Sequence, residues 1–492
     1  MEQFLKGVNT VWGFFASNIL TQPAYFIGLI VLIGYILLKK PWYDSLAGFI
    51  KATVGYMILA VGSGGLVNNF RPILVGLNER FSLSAVVIDP YFGQNAVTAG
   101  LAPVFGRTFS QVMMLLLIAF IFNILLVRFK KYTKMRSIFT TGHVQMQQAS
   151  TAFWMMLFCF PALGDTPILL LMGLVLGLYW AVGTNLLVKP TQELTDGAGF
   201  SVAHQQMFGI AIVDRILENR KRKSTKEIKK IQDIKLPGFL AIFNENMVAT
   251  AILMSLFFSV ILILLGKPYL VEKKFMGANA SFFFYIITTS FNFAVYLAIL
   301  QLGVRTFVTE LTQSFQGISN RWLPGSAPGV DCAVTYGFGA PNAVTIGFLF
   351  GALGQFISIG VLLLLKSPLV IISGFVPMFF DNATIGVFAN NKGGVKATML
   401  FPFLCGICQV FGSAFIAGFV GLAAYGGYLG MWDWAILWPV FTVAMKYLSY
   451  AGVALIVIVL VAIPQIQYRK NKDSYFMVLE DYESFKKMKG AA

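Results

Sequence analysis

Hydrophobic residues run through this chain in long uncharged blocks that are separated by Lys, Arg, Asp or Glu. A transmembrane helix needs about 20 consecutive apolar residues, so each block of that length predicts one crossing. Together with shorter or interrupted candidates, the blocks predict about eleven crossings by this length rule. We therefore expect an all-α polytopic membrane protein. The long blocks are 7–38, 108–127, 137–164, 166–188, 246–266, 275–304, 332–365 and 397–432, and the shorter candidates are 52–70, 367–390 and 447–463.

Composition and the placement of charge agree with this interpretation. The chain is 57% hydrophobic and only 12% charged, whereas soluble domains carry about 25% charged residues. Lys and Arg favour cytoplasmic loops. An odd number of crossings, with the N-terminus outside in the periplasm and the C-terminus in the cytoplasm, places all four basic clusters inside. They are Lys39–Lys40, Arg128–Arg136, Arg215–Lys235 and the tail from Arg469. The net charge of +16 then reflects topology and contact with anionic lipids, not nucleic acid.

A strongly charged segment at 215–238 divides the chain nearly in half. About five crossings lie on either side of it, by the length rule, and five is odd. A second half built like the first would therefore enter the membrane from the opposite face, which is the arrangement of an inverted repeat. We expect a first repeat at 1–214, a cytoplasmic basic loop at 215–238, a second repeat at 239–432, a final helix at 433–468 and a cytoplasmic tail at 469–492.

Several hydrophobic segments carry too much Gly, Pro and polar sequence for a regular lipid-facing helix. Non-helical backbone at membrane depth persists only when it is buried in protein or lines a cavity. We therefore expect broken or re-entrant segments that build a site. They are 60–72, where Gly62, Ser63, Gly64 and Gly65 follow one another, 189–206, 325–344 and 374–391.

Both histidines of the chain lie beside glutamines in such surroundings. His143 precedes Gln147 by four residues, and His204 is followed at once by Gln205. On a helix, residues four apart share a face, so His143 and Gln147 can point at one ligand. The alternative is that these groups bond to one another as polar links between helices. Because the pattern occurs twice, we favour a binding site. Asp331 is a carboxylate at predicted membrane depth, where charge usually marks a substrate or ion pathway.

The remaining chemistry is sparse. Amides, imidazoles and a carboxylate offer many hydrogen bonds and little fixed charge, which suits a small polyhydroxylated molecule. The sequence contains no phosphate-binding glycine loop, metal-ligand spacing or nucleophile elbow. We therefore expect a transport protein without metal or cofactor, not an enzyme. Cys405 and Cys408 are interpreted as two buried thiols on an apolar helix, and the roles of Asp381 and Lys446 stay open.

Four motifs together resemble the ascorbate-specific membrane component, enzyme IIC, of the bacterial phosphotransferase system (PTS), in the ascorbate–galactitol group. The resemblance implies a homodimeric inner-membrane permease with a V-shaped dimerisation domain and a core domain that moves as an elevator. It also implies separate cytoplasmic A and B components, the latter with a phosphocysteine, that phosphorylate the sugar. The motifs are "TGHVQMQQA", "KPTQELTDGAGFSVAHQQ", "PGSAPGVDCAVTYGFGAPNAV" and "GFVPMFFDNATIGVFANNKGG".

The resemblance also implies which residues bind L-ascorbate. Gln147, Gln205 and Tyr91 are expected to hydrogen-bond hydroxyls of the substrate. Asp331 is expected to face the hydroxylated side arm, because a carboxylate would repel the anionic enediol. The full set is Gly62, Ser63, Pro90, Tyr91, His143, Gln147, His204, Gln205 and Asp331. The alternative function is a proton- or sodium-coupled secondary transporter of a sugar acid or polyol, with Asp331 or Asp381 as the coupling carboxylate.

Overall fold

The fold was obtained as a computed structural model. It describes residues 18, 22–81, 85–222, 228–233, 246–321, 323–374 and 376–490. The start of the first predicted crossing, up to residue 17, therefore lies outside the described residues. The same holds for 223–227 and 234–238 of the predicted basic loop.

The described part is predominantly helical, as the hydrophobic blocks predict. Five of its helices are long and apolar enough to cross a membrane, which agrees with a polytopic membrane protein. The long helices are α1 Pro23–Leu37, α2 Trp42–Phe81, α3 Pro90–Phe105, α4 Phe109–Arg128, α5 Gly142–Cys159, α6 Asp165–Thr195, α7 Met207–Arg222, α8 Asn246–Leu265, α9 Phe282–Arg321, α10 Pro341–Leu364, α11 Asn382–Phe419 and α12 Trp432–Lys470, and the shorter α13 Tyr482–Gly490 closes the chain.

The expectation of a broken segment at 60–72 is wrong, because α2 continues as one helix through all of these residues. Gly65 in this segment, and Gly55 before it, serve close packing instead. A Cβ at Gly65 would overlap the ring of Tyr296 on α9, and one at Gly55 would lie 2.8 Å from the backbone nitrogen of Phe307 on the same helix. Small residues let helix backbones approach closely in membranes. Glycine in α2 therefore brings α2 against α9 and leaves the helix intact.

The other three expected breaks do interrupt regular α-helix. Helix α6 runs on to Thr195 before the chain leaves helical geometry. The segment 325–344 contains a strand and the 3₁₀ helix Cys332–Gly337. The segment 374–391 begins with the π-helical turn Pro377–Asp381. The shorter crossing candidate 367–390 is accordingly not one helix, since a strand, this turn and the start of α11 share it.

The structure also contains two small parallel sheets, which the sequence pattern does not predict, and two of their strands lie in the breaks at 189–206 and 325–344. The strands are β1 Ala85–Ile88, β2 Ser137–Phe139, β3 Ser201–Val202, β4 Ala327–Val330, β5 Val370–Ser373 and β6 Gly427–Tyr428. One sheet has the order β5-β1-β6 and the other β2-β4-β3. In each, the central strand comes from one half of the chain and both flanking strands from the other half.

The register of the two sheets matches as well as their order. The first residue of central strand β1, Ala85, pairs with the first residue of β5, and the last two residues of β1 pair with β6. The first residue of central strand β4, Ala327, likewise pairs with the first residue of β2, and the last two residues of β4 pair with β3. The two halves therefore exchange equivalent strands.

Helices α11 and α12 each contain one residue with non-helical backbone. Gly394 has φ 64° and ψ −157° within α11, and Ser449 has φ 51° and ψ −131° within α12. Positive φ suits glycine, while a residue with a Cβ adopts it less readily. Both helices are therefore kinked, and the predicted final helix at 433–468 corresponds to a bent α12.

The segment predicted as a tail folds back onto the first half. Val478 and Phe485 bury their side chains against Val188 of α6. The guanidinium of Arg136, which is buried, lies 3.6 Å from the ring centroid of Tyr475 and donates from Nε to Asn185 Oδ1 at 3.0 Å. The tail is therefore attached next to strand β2.

Candidate functional site

The polar stretch Thr141–Ser150 forms the beginning of α5, directly after strand β2. Helical geometry places His143 and Gln147 one turn apart, as their spacing predicts. Both side chains are buried in the protein, as are those of Gln145 and Gln148. The stretch is polar because this end of the helix faces other polar groups and not lipid.

The second histidine stretch lies between β3 and α7, and it meets the first through side-chain amides. Gln205 Nε2 donates to Gln147 Oε1 at 2.8 Å. Gln148 Nε2 donates to the backbone carbonyl of His204 at 3.2 Å, and Trp180 Nε1 donates to Gln148 Oε1 at 2.5 Å. The two glutamine-histidine stretches, which are separated by about sixty residues of sequence, therefore form one buried cluster.

Gln206 fixes the protonation of the His204 ring. Its Oε1 accepts from the backbone nitrogen of Gln205 at 3.0 Å, and its Nε2 donates to the backbone carbonyl of Phe380 at 3.2 Å. These two backbone partners determine which end of the amide is oxygen. His204 Nδ1 lies 2.7 Å from that oxygen, so Nδ1 must carry the hydrogen. In the neutral ring, Nε2 then carries a lone pair.

Asp331 completes the cluster from the second half of the chain. It follows strand β4 directly and accepts from the backbone nitrogen of Ala333 at 2.9 Å through Oδ1. Its other oxygen, Oδ2, lies 3.5 Å from His143 Nε2. One side-chain nitrogen or oxygen from each of His143, His204 and Asp331 lies within 4.8 Å of the other two, and all three residues are buried.

Two atoms of this cluster are buried without a hydrogen-bond partner. They are His143 Nδ1 and Gln205 Oε1. Buried polar atoms are almost always paired, so an unpaired one calls for an explanation such as a ligand. The pair comprises one ring nitrogen and one carbonyl-type oxygen. The cluster can therefore form hydrogen bonds with a molecule that carries hydroxyl groups.

Three aromatic residues, which the sequence analysis did not assign to the site, surround the cluster. The ring of Phe380 is stacked with that of His204, with 6.3 Å between centroids. It is also stacked with the ring of Tyr336, with 6.5 Å between centroids. Tyr56 of α2 lies 6.1 Å from the His143 ring. Tyr336 and Phe380 belong to broken segments, which was a usable signal, whereas Tyr56 lies in an ordinary apolar helix.

The other predicted site residues have fewer contacts that connect them to the cluster. Asp89 caps α3 by accepting from the backbone nitrogen of Tyr91 at 2.9 Å, and Tyr91 is close enough to Tyr56 to interact with it electrostatically. Gly62 is buried in α2 and Pro90 is the first residue of α3. No hydrogen bond in the described part of the chain joins these two residues to the histidines. The side chain of Ser63 lies outside the described part.

The residues left open by the sequence have structural partners. Asp381 Oδ2 accepts from Gln409 Nε2 and from the backbone nitrogen of Trp432, each at 2.6 Å. Lys446 donates to the carbonyl of Phe158 at 3.1 Å. Cys405 and Cys408 are free thiols, the first buried and the second half-buried. Thus Asp381 links α11 to the start of α12.

The amino-acid sequence matches a family of known proteins. The profile of the family EIIC-GAT, described as "PTS system sugar-specific permease component", matches residues 18–435. The chain is 34% identical over 437 residues to the "Ascorbate-specific PTS system EIIC component" of Mycoplasma pneumoniae (strain ATCC 29342 / M129 / Subtype 1), which covers 80% of this chain. The chain spans about 65% of the length of the Mycoplasma pneumoniae relative. The chain therefore belongs to the multi-pass membrane family of PTS sugar-specific permease components.

Proposed function

We propose that this protein binds L-ascorbate in the cluster of His143, His204, Asp331, Gln147 and Gln205 and carries it into a bacterial cell across the inner membrane. The observation that carries the proposal is the pair of buried, unpaired atoms among these groups, His143 Nδ1 and Gln205 Oε1. A hydroxylated sugar acid would supply the missing partners. The similarity to an ascorbate-specific relative supports the choice of ascorbate among hydroxylated ligands.

The same proposal gives the carboxylate a defined place. Asp331 uses Oδ1 for Ala333, which leaves Oδ2 to accept from a hydroxyl of the side arm. The enediol anion would lie nearer the neutral imidazole and amide groups, because two like charges at short distance repel. Tyr91, Pro90, Gly62 and Ser63 are proposed to border the ligand from α2 and α3.

We further propose that the chain is the transport subunit of a system whose A and B components phosphorylate ascorbate on the cytoplasmic side. Membership of the PTS permease family supports these partners. It also supports the proposal that the partners, and not this chain, perform the phosphoryl transfer. The C-terminus would be cytoplasmic and the N-terminus periplasmic, with the basic clusters against anionic lipids.

The proposed movement is that of an elevator in a homodimer. The first two long helices of each half, α1 and α2 with α8 and α9, pack on one another and would form the dimerisation domain. The remaining helices and both sheets would form the moving core. The matched exchange of strands between the halves supports two inverted repeats of about five crossings each, with α12 as the eleventh crossing.

Binding of labelled ascorbate to the purified protein tests the site. Gln147→Ala and Gln205→Ala should each remove one hydrogen bond to the substrate, which costs about 1–3 kcal/mol, so we expect about 5- to 150-fold weaker binding. Gln145→Ala is the matched control, because Gln145 is buried on the same helix but bonds to the carbonyl of Phe139. Parent-like binding by both site variants would remove the pair from the proposed site.

Transport in vesicles tests the coupling. Uptake should require phosphoenolpyruvate and the cytoplasmic components, and the product inside should be ascorbate phosphate. Accumulation of unmodified ascorbate driven by a proton or sodium gradient would instead support the secondary-transporter alternative. In that case Asp331→Asn and Asp381→Asn would identify which carboxylate carries the coupling ion.

A further inference from the structure

We propose that His143, His204 and Asp331 bind a divalent transition-metal ion such as Zn²⁺ when the sugar ligand is absent, and that the ion excludes this ligand. Metal binding does not depend on which organic ligand the site accepts. Only the exclusion of ascorbate rests on the proposed function. Such a site makes the protein a permease that transition metals inhibit.

The spacing of the donor atoms favours a metal over a direct hydrogen bond. His143 Nε2 and Asp331 Oδ2 are 3.5 Å apart, which is long for a hydrogen bond between nitrogen and oxygen. Zinc binds nitrogen and carboxylate oxygen at about 2.0–2.2 Å with tetrahedral angles, so two of its ligands stand about 3.3–3.5 Å apart. The three ligand atoms lie within 4.8 Å of one another, so the third ligand needs a shift of at most about 1.5 Å to reach that spacing.

The protonation of His204 also suits a metal. A histidine ligand must be neutral and present a lone pair, and its other ring nitrogen usually donates to a neighbouring oxygen that orients the ring. Gln206 Oε1 accepts from His204 Nδ1 at 2.7 Å and is itself held by two backbone groups. This arrangement leaves the lone pair on Nε2. Asp331 is oriented in the same manner through Ala333.

Burial and charge supply the independent observation. His143 is only 8% exposed, and His204 and Asp331 are each 4% exposed. Within the described residues, the ionisable side chain paired with Asp331 is His143 and not a lysine or arginine. Two imidazoles and one carboxylate therefore leave a negative charge that a divalent cation would offset. Two histidines and a carboxylate also form a ligand set that zinc and iron use with positions left open.

Titration of the full-length protein with Co²⁺ in detergent, without sugar, tests the inference. Cobalt bound by nitrogen and oxygen ligands shows visible absorption bands, whereas thiolate ligands add charge-transfer absorption in the near ultraviolet. We expect visible bands that saturate at one ion per chain. His204→Ala and Asp331→Asn should weaken binding at least about tenfold, and Gln206→Leu by about 10- to 100-fold. Cys408→Ser is the matched control and should bind as the parent does.

The results that would overturn the inference are equally definite. They are an absence of saturable bands, a thiolate spectrum, or unchanged binding by His204→Ala. A second measurement covers variants that do not fold. The chain has two histidines, so Zn²⁺ should protect both from diethylpyrocarbonate in the parent protein, as read by mass spectrometry. Modification at unchanged rates with Zn²⁺ present would contradict the site.

Competition with ascorbate separates the two proposals. Zn²⁺ should raise the apparent Kd for ascorbate as its concentration rises, and Gln206→Leu, which changes a residue outside the proposed ascorbate contacts that orients His204, should weaken this dependence. Ascorbate binding that Zn²⁺ does not alter would overturn the exclusion. If cobalt binds as expected while ascorbate does not bind at all, the metal site stands and the proposed function fails.

Discussion

Lys392 joins two buried carboxylates, and replacing it with methionine should destabilise the protein strongly. Its Nζ lies 2.8 Å from Glu193 Oε2 of α6 and 2.6 Å from Asp214 Oδ1 of α7, and the three side chains are 10%, 9% and 9% exposed. Lys392 belongs to α11, so the cluster ties three helices together. Lys392→Met keeps most of the side-chain volume, but it removes the cation nearest both carboxylates and leaves Glu193 with only Lys189, 3.8 Å away.

The magnitude follows from burial. Removing one partner of a buried ion pair costs about 3–5 kcal/mol, because the remaining charge is uncompensated. Domains of 150–250 residues lose about 2–4 °C in Tm per kcal/mol and larger chains lose less. We therefore expect the apparent Tm of Lys392→Met in detergent to fall by about 5–10 °C. Adding Glu193→Gln and Asp214→Asn removes the stranded charges and should recover most of the loss.

Lys189 provides the matched control. It lies 2.7 Å from Glu218 and 3.8 Å from Glu193 of the same cluster, but its side chain is 31% exposed, and solvent-accessible pairs contribute about 0–1 kcal/mol. Fluorescence-detected size-exclusion chromatography after heating measures all four proteins. A parent-like Tm for Lys392→Met, or an equal fall for Lys189→Met, would show that burial of the cluster does not set its energy.

Two further predictions concern the attached tail and the glycines of α2. Tyr475→Ala removes the ring that covers the Arg136 guanidinium, so limited proteolysis should cleave after residue 476 faster than in the parent, and an unchanged rate would refute the attachment. Gly65→Leu should lower the Tm because its side chain would overlap Tyr296, whereas Gly64→Ala, which has open space around its Cβ, should leave the Tm equal or slightly higher. Equal effects of the two substitutions would contradict the close packing of α2 against α9.

The local chemistry of the site could be predicted from sequence because it depends on residue types at short spacing. His143 and Gln147 are four residues apart, and helical periodicity alone places them on one face. The clustering of glutamines beside both histidines indicated their burial. The same reasoning could not identify Tyr56. Its proximity to His143 arises from the packing of α2, and the residues next to Tyr56 in the sequence do not indicate it.

The glycines at 62, 64 and 65 show why composition alone predicts a break that α2 does not contain. Glycine permits an irregular backbone but also permits close approach of two helices, and only the neighbouring helix decides between these outcomes. The strands were missed for a related reason. Each is two to four residues long, and its partners lie in the other half of the chain. Pairing of that kind is a tertiary event that local propensity does not report.

The exchanged strands have a consequence for how the chain is assembled. Strand β1 at 85–88 has no sheet partners until 370–373 and 427–428 have been synthesised. Pairing between distant segments is slow, and strand edges that are still unpaired are prone to misassembly. During biosynthesis the first half must therefore remain in the membrane with an incomplete interior. Its maturation depends on synthesis of the chain through residue 428.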